Sequence, residues 1–451
     1  MKVLVIETTP ATPHAETGLE IAIKEKHSGS KVVYCPIFHL LPILVWKSNI
    51  NGRNDGGKPD TLADWLAYLI NKVSPYAEVD VFELLSPLNY VTEEIRQNIF
   101  NFTYDDQPLG ALVKSVAVEI TRTTDNNSIL NEHLDTCIDI AQTAILAYEL
   151  VLMLVDKHQP DQIVFFNGRT AATFPIYLIC KKLDIAAIIH ERGATKDHYS
   201  LYQHPPQFLT EVKDKINRFS LGRLLPESRT SAAAFFHRQR SSKLSNFGPI
   251  VKTQDHDAKI DLPGLKEKFV VFFASSNWEI FFMPTLDFSN ALGDQYTAVA
   301  TLAQVCEKEG FQLVIRMHPL TPLTEVNDYN FLANNDKCLI VPAASSISSY
   351  RLGEASYRNF SYGSTITWEL MHSGNHCAVL ADSLGRGETG VIELDSVTSI
   401  SEYLINNLPL VDKSFPLKYG DFFHNFGERY DYYKAETLFS GKFDTKLTAA
   451  T

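Results

Sequence analysis

Two apolar runs in the second half of the chain end in polar residues that could bind an anion. The run QLVI continues into Arg316-Met-His318-Pro, where a guanidinium and an imidazole N–H could both donate to one phosphate. The run FVVFF is followed, after one alanine, by Ser275 and Ser276, whose hydroxyls suit a phosphate or sugar pocket. A surface arginine, a carbonyl-bonded histidine and a serine-rich turn would have the same spacing. Both interpretations stay open at this point.

The segment Gly363-Ser364-Thr365 separates a third apolar run from a helical pattern. The glycine permits close backbone approach, and the hydroxyl residues can cap a helix whose first N–H groups attract an anion. Glu369 follows about one turn later, where its carboxylate could reach a ribose hydroxyl or face solvent. The segment is therefore a candidate phosphate cradle, although an ordinary capped helix has the same residues.

Charged residues also follow two apolar runs in the first half of the chain. The run IVFF leads into Asn167 and Arg169, and the run AAII leads through a histidine to Glu191 and Arg192. If these runs are neighbouring parallel strands, Asn167, Arg169 and Arg192 form one rim for an acceptor or phosphate. Glu191 could then act as a general base. An Arg–Glu ion pair without a catalytic role fits the sequence equally well.

The long polar loop after the first apolar run contains His14 and Glu16, which could hold an acceptor or serve as a base. The chain has no GxGxxG motif and no Walker GxxxxGK[ST] motif, so dinucleotide oxidoreductases and P-loop kinases lose their main support. A GxSxG elbow is also missing, which argues against an α/β-hydrolase.

Apolar runs and helical patterns alternate along the chain, and the alternation restarts after an irregular stretch. A strand at 2–6, a helix at 18–27 and a strand at 32–38 form the first βαβ unit. Later predicted elements include strands at 79–84, 163–166 and 186–190, and helices at 61–73, 129–157, 294–309 and from 363 to 372. Strands separated by helices imply parallel sheets with covered faces. We predict an α/β fold with two Rossmann-like domains facing a cleft.

The length of 451 residues supports more than one domain, because single cores stop growing near ~300 residues. We expect an N-terminal domain at 1–245 and a mixed-charge linker with two prolines at 246–268. A C-terminal domain follows at 269–415. The last segment, 416–451, is rich in aromatic residues and should pack back on the N-terminal domain.

The composition excludes several classes of protein. With 45% hydrophobic residues the chain is close to the globular average, and a formal net charge of −12 argues against a nucleic-acid partner. The six cysteines are dispersed, with no CxxC pair and no zinc spacing, so we expect reduced thiols and no metal site.

The apolar stretch at 137–155 is interrupted by Asp139 and Glu149, which indicates a buried helix rather than a membrane span. No secretory signal is visible at the N-terminus, so we expect a cytoplasmic protein. The basic segment at 237–243 could touch anionic lipid headgroups of the inner membrane, or it could be an ordinary solvated helix end.

Several of these motifs, taken in order, resemble the GT-B glycosyltransferases of bacterial surface-polysaccharide biosynthesis, which make capsule, O-antigen and lipopolysaccharide. The matching segments cover most of residues 160–380. They are FFNGRTAA at 165–172, IIHERGA at 188–194, VVFFASSNWE at 270–279, VIRMHP at 314–319, SSYRLGEA at 348–355 and YGSTITWEL at 362–370. The first 150 residues match only in an initial strand and a long polar loop.

The resemblance implies a nucleotide-sugar donor, with a UDP- or CMP-sugar expected, on the C-terminal domain and a glycan or lipid-linked acceptor on the N-terminal domain. His318 would contact the donor phosphate, as the His-Pro pair does in bacterial sialyltransferases and Kdo transferases. The other implied donor-binding residues are Ser275, Ser276, Arg316, Gly363, Ser364, Thr365 and Glu369. Catalysis would fall to Glu191, His14 or Glu16, without a metal or another cofactor.

The sequence also departs from the pattern of the resembled family. Sialyltransferases have two acidic residues before a glycine, whereas this chain has Glu191-Arg192-Gly193. The usual Gly-Lys-Pro after the last helix is replaced by the segment SGNH at 373–376, so a different donor is expected there. A non-hydrolysing nucleotide-sugar 2-epimerase shares the fold and similar motifs, a glycerol-phosphate polymerase uses related phosphate chemistry, and a non-catalytic subunit of a polysaccharide assembly complex is a third alternative.

Overall fold

The computed structural model describes residues 1–43, 61–82, 90–241, 254, 259–276, 291–319, 321, 329, 332 and 337–444. Within these ranges the strands form a seven-stranded sheet, a six-stranded sheet and a two-stranded hairpin. Central strands such as Phe269–Phe273 are buried along their whole length, the pattern of a sheet covered on both faces. The predicted α/β fold with two Rossmann-like units is confirmed. Most of the predicted linker, and Asn277 in the VVFFASSNWE motif, lie outside the described residues.

The first sheet has the spatial order β13-β6-β5-β4-β1-β2-β3. Its strands are β1 Lys2–Glu7, β2 Lys31–Pro36, β3 Glu78–Val79, β4 Gln162–Phe166, β5 Ala186–Arg192, β6 His198–Tyr202 and β13 Glu428–Arg429. The five strands from β5 to β3 are parallel, whereas β6 is antiparallel to β5 and β13 is antiparallel to β6. The sequence did not predict β6. Only residues 193–197 separate it from β5, and such a short connection cannot make a parallel crossover.

The second sheet has the order β12-β11-β10-β7-β8-β9, and the strand pairs that it contains are all parallel. Its strands are β7 Phe269–Phe273, β8 Gln312–Arg316, β9 Cys338–Val341, β10 Asn359–Ser361, β11 Cys377–Val379 and β12 Ile392–Glu393. The hairpin of β14 Tyr433–Ala435 and β15 Gly441–Phe443 follows near the end of the chain.

Helices connect these strands. In the first half they are α1 His14–His27, α2 Leu62–Val73, α3 Glu93–Gln97, α4 Leu109–Thr121, α5 Asn126–Glu132, α6 Leu134–His158, α7 Phe174–Leu183, α8 Leu209–Leu221 and α9 Leu225–Arg240, with a short 3-10 turn at Phe38–Leu40. In the second half they are α10 Gln295–Lys308, α11 Ser349–Ala355, α12 Ile366–His372, α13 Val397–Ile405 and α14 Ser414–Asn425.

Three predicted boundaries were wrong in ways that affect the site. Helix α1 begins at His14 rather than at Gly18, so the predicted loop is shorter. Gly18 instead allows α1 to approach the sheet, since a Cβ there would lie 2.8 Å from Glu7 Oε2. Strand β5 continues to Arg192, because β6 extends its pairing. The third error lies at α12, which begins at Ile366 rather than at Gly363.

Two further predicted elements differ from the structure. The single helix predicted at 129–157 is two helices, α5 and α6, which meet at His133. The strand predicted at 79–84 is the short β3, Glu78–Val79, and residues 83 and 84 lie outside the described ranges.

Helix α6 is the one described helix that is long and apolar enough to cross a membrane, judged by length and composition alone. It packs between α4 and α7, and 61% of its most apolar window is buried inside the protein. It is therefore a core helix of the first unit, as predicted. All six cysteines are free thiols, and five of them are buried.

The chain returns to the first sheet at its end. Helix α14 packs along α9 through an aromatic cluster in which the rings of Phe235 and Tyr419 lie 5.9 Å apart. Strand β13 then pairs with β6, and the side chain of Glu20 on α1 accepts backbone N–H groups from residues 431–433. The last described segment thus packs on α1 and on the antiparallel edge of the first sheet.

The basic residues at the end of α9 connect the two halves of the chain. Arg240 pairs with Glu354 on α11 at 2.6 Å, and the Nη2 atom of Arg238 hydrogen-bonds Nδ1 of His424 on α14 at 2.7 Å. Residues 242 and 243 of the predicted basic segment lie outside the described ranges. Both arginines therefore have partners within the protein, Glu354 for Arg240 and His424 for Arg238.

Candidate active site

The order of each large sheet reverses next to its first strand. In the second sheet the chain moves from β7 outward to β8 and β9, and then returns to β10 on the other side of β7. In the first sheet the same reversal separates β1 from β4. Ligands of open α/β sheets bind beyond the carboxyl ends of the strands at such a reversal. Two places are therefore the candidate sites, the carboxyl ends of β7, β8 and β10 and those of β1, β4 and β5.

At the second sheet, Ser276 and His318, two of the candidate donor-binding residues, lie side by side. Ser276 is wholly buried, and its Oγ hydrogen-bonds Nδ1 of His318 at 3.0 Å. Burial, helped by the charge of Arg316, lowers the pKa of His318 to about 4, so its imidazole is neutral at pH 7. When the serine hydroxyl donates to Nδ1, the neutral imidazole carries its proton on Nε2. The pair can donate a hydrogen bond to an anion but brings no positive charge.

Ser275 ties the loop after β7 to its neighbours. Its N–H donates to Gln295 Oε1 at 2.8 Å, and the Gln295 amide donates back to the Ser275 carbonyl at 2.9 Å. The Ser275 hydroxyl donates to the carbonyl of Tyr362 at 3.1 Å. Ser275 therefore fixes the loop after β7 against Gln295 and Tyr362, and no sequence motif indicated Gln295.

Gly363 lies at the carboxyl end of β10 with φ +79°, a left-handed conformation that favours glycine. A Cβ at this position would lie 2.9 Å from the carbonyl oxygen of Asp382. The next residue, Ser364, is half-buried, and among the described residues its hydroxyl has no hydrogen-bond partner. Thr365 precedes α12 and is exposed. Backbone and hydroxyl donors are thus available between β7 and β10.

Arg316 is buried and its donors are used within the protein. Its guanidinium donates to the carbonyl of Pro342, to the carbonyl of Ser345 at 3.2 Å and to the hydroxyl of Ser349 at 3.3 Å. Burial lowers the pKa of Arg316 to about 10. The predicted phosphate contact is replaced by a structural role, because Arg316 is the last residue of β8 and its side chain holds the loop after β9.

Glu369 lies on α12 and accepts a hydrogen bond from the hydroxyl of Tyr350. Burial raises the pKa of Glu369 to about 7, and the hydrogen bonds from Tyr350 and Thr365 oppose that rise. The ring of Tyr350 lies 5.1 Å below the guanidinium of Arg240. The carboxylate is therefore enclosed by protein groups, and a ribose would have to displace or share the Tyr350 bond.

At the first sheet, two acidic side chains are buried at the end of β1. Glu7 is 1% exposed and Glu16 is 3% exposed. The backbone N–H of Thr9 donates to Glu7 Oε1 at 2.9 Å, and the hydroxyl of Thr12 donates to Glu16 Oε1 at 2.9 Å. Burial, with the charge of Glu16, raises the pKa of Glu7 to about 8. Glu7 is therefore protonated at pH 7 and sits near the charge of Glu16.

Two buried histidines stand beside these acids. The ring of His14 lies on the ring of Phe166 with centroids 3.9 Å apart, and its nitrogens make no hydrogen bond among the described residues. Burial holds the pKa of His14 well below its usual range, and the charge of Arg192 lowers it further. Burial lowers the pKa of His190 to about 3. Both imidazoles are neutral, so His14 is free to accept a proton or a hydrogen bond.

The predicted rim after β4 and β5 divides into three different environments. Asn167 donates from Nδ2 to Glu191 Oε2 at 2.7 Å, and the N–H of Arg192 donates to Glu191 Oε1 at 3.0 Å. Arg169 turns away and pairs with Glu119 on α4 at 3.3 Å. Arg192 packs over the ring of Phe439 with a separation of 4.4 Å. Glu191 is thus held by its neighbours, and the Arg–Glu ion pair at this rim joins Arg169 to Glu119.

The chain end covers this first site. The hydroxyl groups of Thr17 and Tyr430 hydrogen-bond at 2.7 Å. Tyr34 on β2 has a buried hydroxyl with no partner among the described residues. Sequence motifs indicated neither Tyr34, which lies inside an apolar run, nor Glu7. The sequence does show a carboxylate at the end of the first apolar run, and such a residue is rarely buried without a specific reason.

Comparisons with known proteins find solved structures that are similar to this chain, at low sequence identity. No protein-family model matches the chain, and no curated protein matches it. Among solved structures it is similar to the beta Kdo 2,4 transferase KpsC of Thermosulfurimonas dismutans, with 11% identity, TM-score 0.37, and coverage of 58% of this chain and 78% of that one.

Two other solved structures are similar over more of the chain. The UDP-GlcNAc 2-epimerase of Methanocaldococcus jannaschii, in complex with UDP-GlcNAc and UDP, shows 10% identity, TM-score 0.32, and coverage of 93% and 98%. The glycotransferase of kitacinnamycin shows 11% identity, TM-score 0.27, and coverage of 94% and 95%. At these scores the likeness carries no argument about activity.

Proposed function

We propose that the protein is a glycosyltransferase that moves a sugar from a nucleotide-sugar to a growing surface glycan or lipid-linked acceptor. The observation that carries this proposal is the pairing of two unlike sites at the sheet reversals. The second sheet offers neutral donors around Ser276, His318 and Gly363, which suit a nucleotide phosphate. The first offers buried acid and imidazole groups, which suit proton transfer from an acceptor hydroxyl.

In the proposed reaction the acceptor oxygen forms a bond to the anomeric carbon while the bond from that carbon to the phosphate oxygen breaks. The hydroxyl proton passes to the Glu16 carboxylate, with His14 as the alternative acceptor. The negative charge that develops on the leaving nucleotide is stabilised by the imidazole N–H of His318, the hydroxyl of Ser364 and the backbone around Gly363. Transition-state charge is thus met by hydrogen bonds that already point at the site.

The proposal includes turnover without a metal, a UDP- or CMP-sugar donor, and a cytoplasmic location. Among the described residues no group of three His, Cys, Asp or Glu side chains could hold a metal ion. The assay that tests this uses UDP-, GDP- and CMP-sugars with a lipid-linked or oligosaccharide acceptor mixture, with and without EDTA. We expect nucleotide release that depends on acceptor and resists EDTA. Loss of turnover in EDTA that a divalent ion restores would overturn metal independence.

A nucleotide-sugar epimerase is the second candidate, and one observation favours it. Two acidic side chains, the protonated Glu7 and the nearby Glu16, are buried at the end of β1, and an acid and a base are needed to remove and return a proton at a sugar carbon. Donor incubated without acceptor separates the candidates, because an epimerase converts the sugar and a transferase does not. A non-catalytic subunit would be indicated if UDP, GDP, CMP and CDP all failed to raise the melting temperature.

A further inference from the structure

A pocket of about 560 Å³ lies at the antiparallel edge of the first sheet, between the end of β6 and helix α8. Its lining residues take no part in the candidate active site. The volume falls within the ~300–1,000 Å³ range of small-molecule sites. Three features of the pocket, namely its wall, its rim and its position, indicate what it would bind.

The wall of this edge pocket is aromatic. The rings of Tyr177, His204 and Phe208 lie with centroids 6.0 to 6.1 Å apart, and the Tyr177 hydroxyl bonds His204 Nδ1 at 2.9 Å. Tyr202 adds a fourth ring, covered at 4.9 Å by the ammonium of Lys215. Because these rings contact one another, they form a rigid apolar surface, and ligand binding costs them little side-chain conformational entropy.

The rim of the edge pocket is polar, and part of it is already occupied. The carboxylate of Glu211 accepts the backbone N–H groups of Gln203 and His204, and Lys215 donates to the carbonyl of Leu201 at 2.7 Å. The exposed carboxylate of Asp214 and the terminal guanidinium nitrogens of Arg218 have no partner among the described residues.

The groups available to a ligand at the rim are thus the negatively charged Asp214 carboxylate, which accepts hydrogen bonds, and the positively charged Arg218 guanidinium, which donates them. Their charges cancel, so the rim attracts neither anions nor cations as a class.

We propose that the edge pocket binds a neutral oligosaccharide segment of the acceptor glycan. The apolar C–H faces of sugar rings pack on aromatic rings, while their hydroxyl groups both donate and accept, which matches Arg218 and Asp214. An anionic glycan would meet the carboxylate of Asp214, and a lipid chain would leave both charged groups unpaired. This inference rests on the proposed function, since it names the substrate class that the first unit holds.

The position of the edge pocket fits a role in holding a growing chain. Ile188 lines the pocket and stands two residues before His190 on β5, which is about 7 Å along a strand. A glycan bound in the pocket could therefore extend toward His190 and His14 with its free end. Lys213 and Asn217, on another face of α8, contact residues 386 and 388 of the second unit. The pocket thus lies beside a helix, α8, that also contacts the second unit.

The test measures binding of defined tetrasaccharides to the full chain by saturation-transfer NMR and calorimetry. The probes are maltotetraose, chitotetraose and a galacto-tetraose, all neutral, and tetrameric sialic acid as the anionic counterpart. We expect at least one neutral probe to bind. Phe208→Ala should raise its Kd by tenfold or more, and Arg218→Ala, an exposed change that leaves the core intact, should raise it by at least threefold.

The matched control is Leu221→Ala, at the end of α8 and outside the lining, where the side chain is 88% exposed. It should leave the Kd unchanged, and so should His318→Ala at the donor site. The inference is overturned if no neutral probe binds, if sialic acid tetramer binds better, or if Arg218→Ala and Phe208→Ala leave binding unchanged. Sugar transfer without tetrasaccharide binding would overturn the pocket alone, whereas binding without transfer would count against the proposed function alone.

Discussion

The carboxyl ends of the two sheets have the same architecture and opposite chemistry. At the first sheet the side chains that meet are titratable and almost fully buried, with Glu7, Glu16, His14 and His190 each no more than 6% exposed. At the second sheet the hydrogen-bond partners of Ser275 and Ser276 are an amide, a backbone carbonyl and an imidazole, while the buried Arg316 and Glu369 are bound by other protein groups. One fold therefore holds a cluster of buried titratable side chains at one reversal and mainly neutral hydrogen-bonding groups at the other.

The difference also has an energetic meaning. A buried carboxyl or imidazole loses hydration, and at pH 7 Glu7, His14 and His190 respond by staying uncharged. Such groups do not stabilise a fold as apolar residues would, and clusters with separated pKa values are common at functional sites. Ser276 and Gln295 have no such cost, because their polar atoms are paired within the pocket. A substitution should therefore change activity and the free energy of unfolding in different proportions at the two sheet ends.

The largest expected effect is at the first sheet. Glu16→Gln removes the proposed proton acceptor and should lower kcat by ~10²–10⁴-fold with little change in donor KM. The matched control is Glu191→Gln, since Asn167 and the Arg192 backbone already hold that carboxylate, and it should stay within about tenfold of wild type. Initial-rate kinetics on purified variants measure both. Equal losses in the two variants would remove the distinction between Glu16 and Glu191 and direct attention to His14.

The next effect is at the second sheet. His318→Ala removes the imidazole donor to the leaving phosphate and should lower kcat/KM by ~10²–10³-fold. The melting temperature should stay close to wild type, because His318 lies at the rim rather than in the apolar core. Because its side-chain amide N–H can take the place of the imidazole donor, His318→Asn should recover part of the rate. Near-normal turnover in His318→Ala would contradict a hydrogen bond from His318 to the leaving phosphate.

Much of the architecture could be predicted from sequence, because buried parallel strands are continuous apolar runs. The strands predicted at 269–274 and 312–319 are β7 at Phe269–Phe273 and β8 at Gln312–Arg316. The roles of strand-end residues were harder. Arg316 and His318 share one motif, yet the loop after β9 encloses the first and not the second. That outcome depends on contacts made tens of residues away, which local spacing does not encode.

Other features of the candidate site also needed the structure. The burial of Glu7 and Glu16 depends on Gly18, which brings α1 close to the sheet, and on the chain end that packs on α1 through Tyr430. The segment of β6 was not recognised because His198 and Ser200 interrupt its apolar pattern and its pairing is antiparallel at an edge. Local patterns therefore indicated which elements exist, and distant segments determined which side chains they enclose.

The smallest expected effect is on the pH dependence of the unfolding free energy, and it tests the difference between the two sheet ends without an activity assay. Folding raises the pKa of Glu7 from 4.5 to about 8, so the folded state keeps a proton that the unfolded chain has lost. The stabilisation is complete below about pH 4.5 and disappears as the pH rises through 8. Between pH 6.5 and 8 the unfolding free energy should fall by about 2 kcal/mol through Glu7 alone. The lowered pKa values of His14 and His190 act in the opposite direction, but only below about pH 6.5.

Urea unfolding of wild type and Glu7→Gln at several pH values between 6.5 and 8 isolates this contribution. Glutamine resembles the protonated acid in shape and cannot ionise, so the variant should lack the Glu7 part of the slope and match wild type only below about pH 4.5. A smaller slope should remain in both proteins, because burial raises the pKa of Glu369 to about 7. His318→Ala provides the comparison from the other sheet. The pKa of His318 is about 4, so the imidazole is uncharged across this window and its removal should leave the wild-type slope unchanged. Parallel slopes for wild type and Glu7→Gln would mean that Glu7 is ionised in the folded protein, and the chemical contrast between the two sheet ends would then be lost.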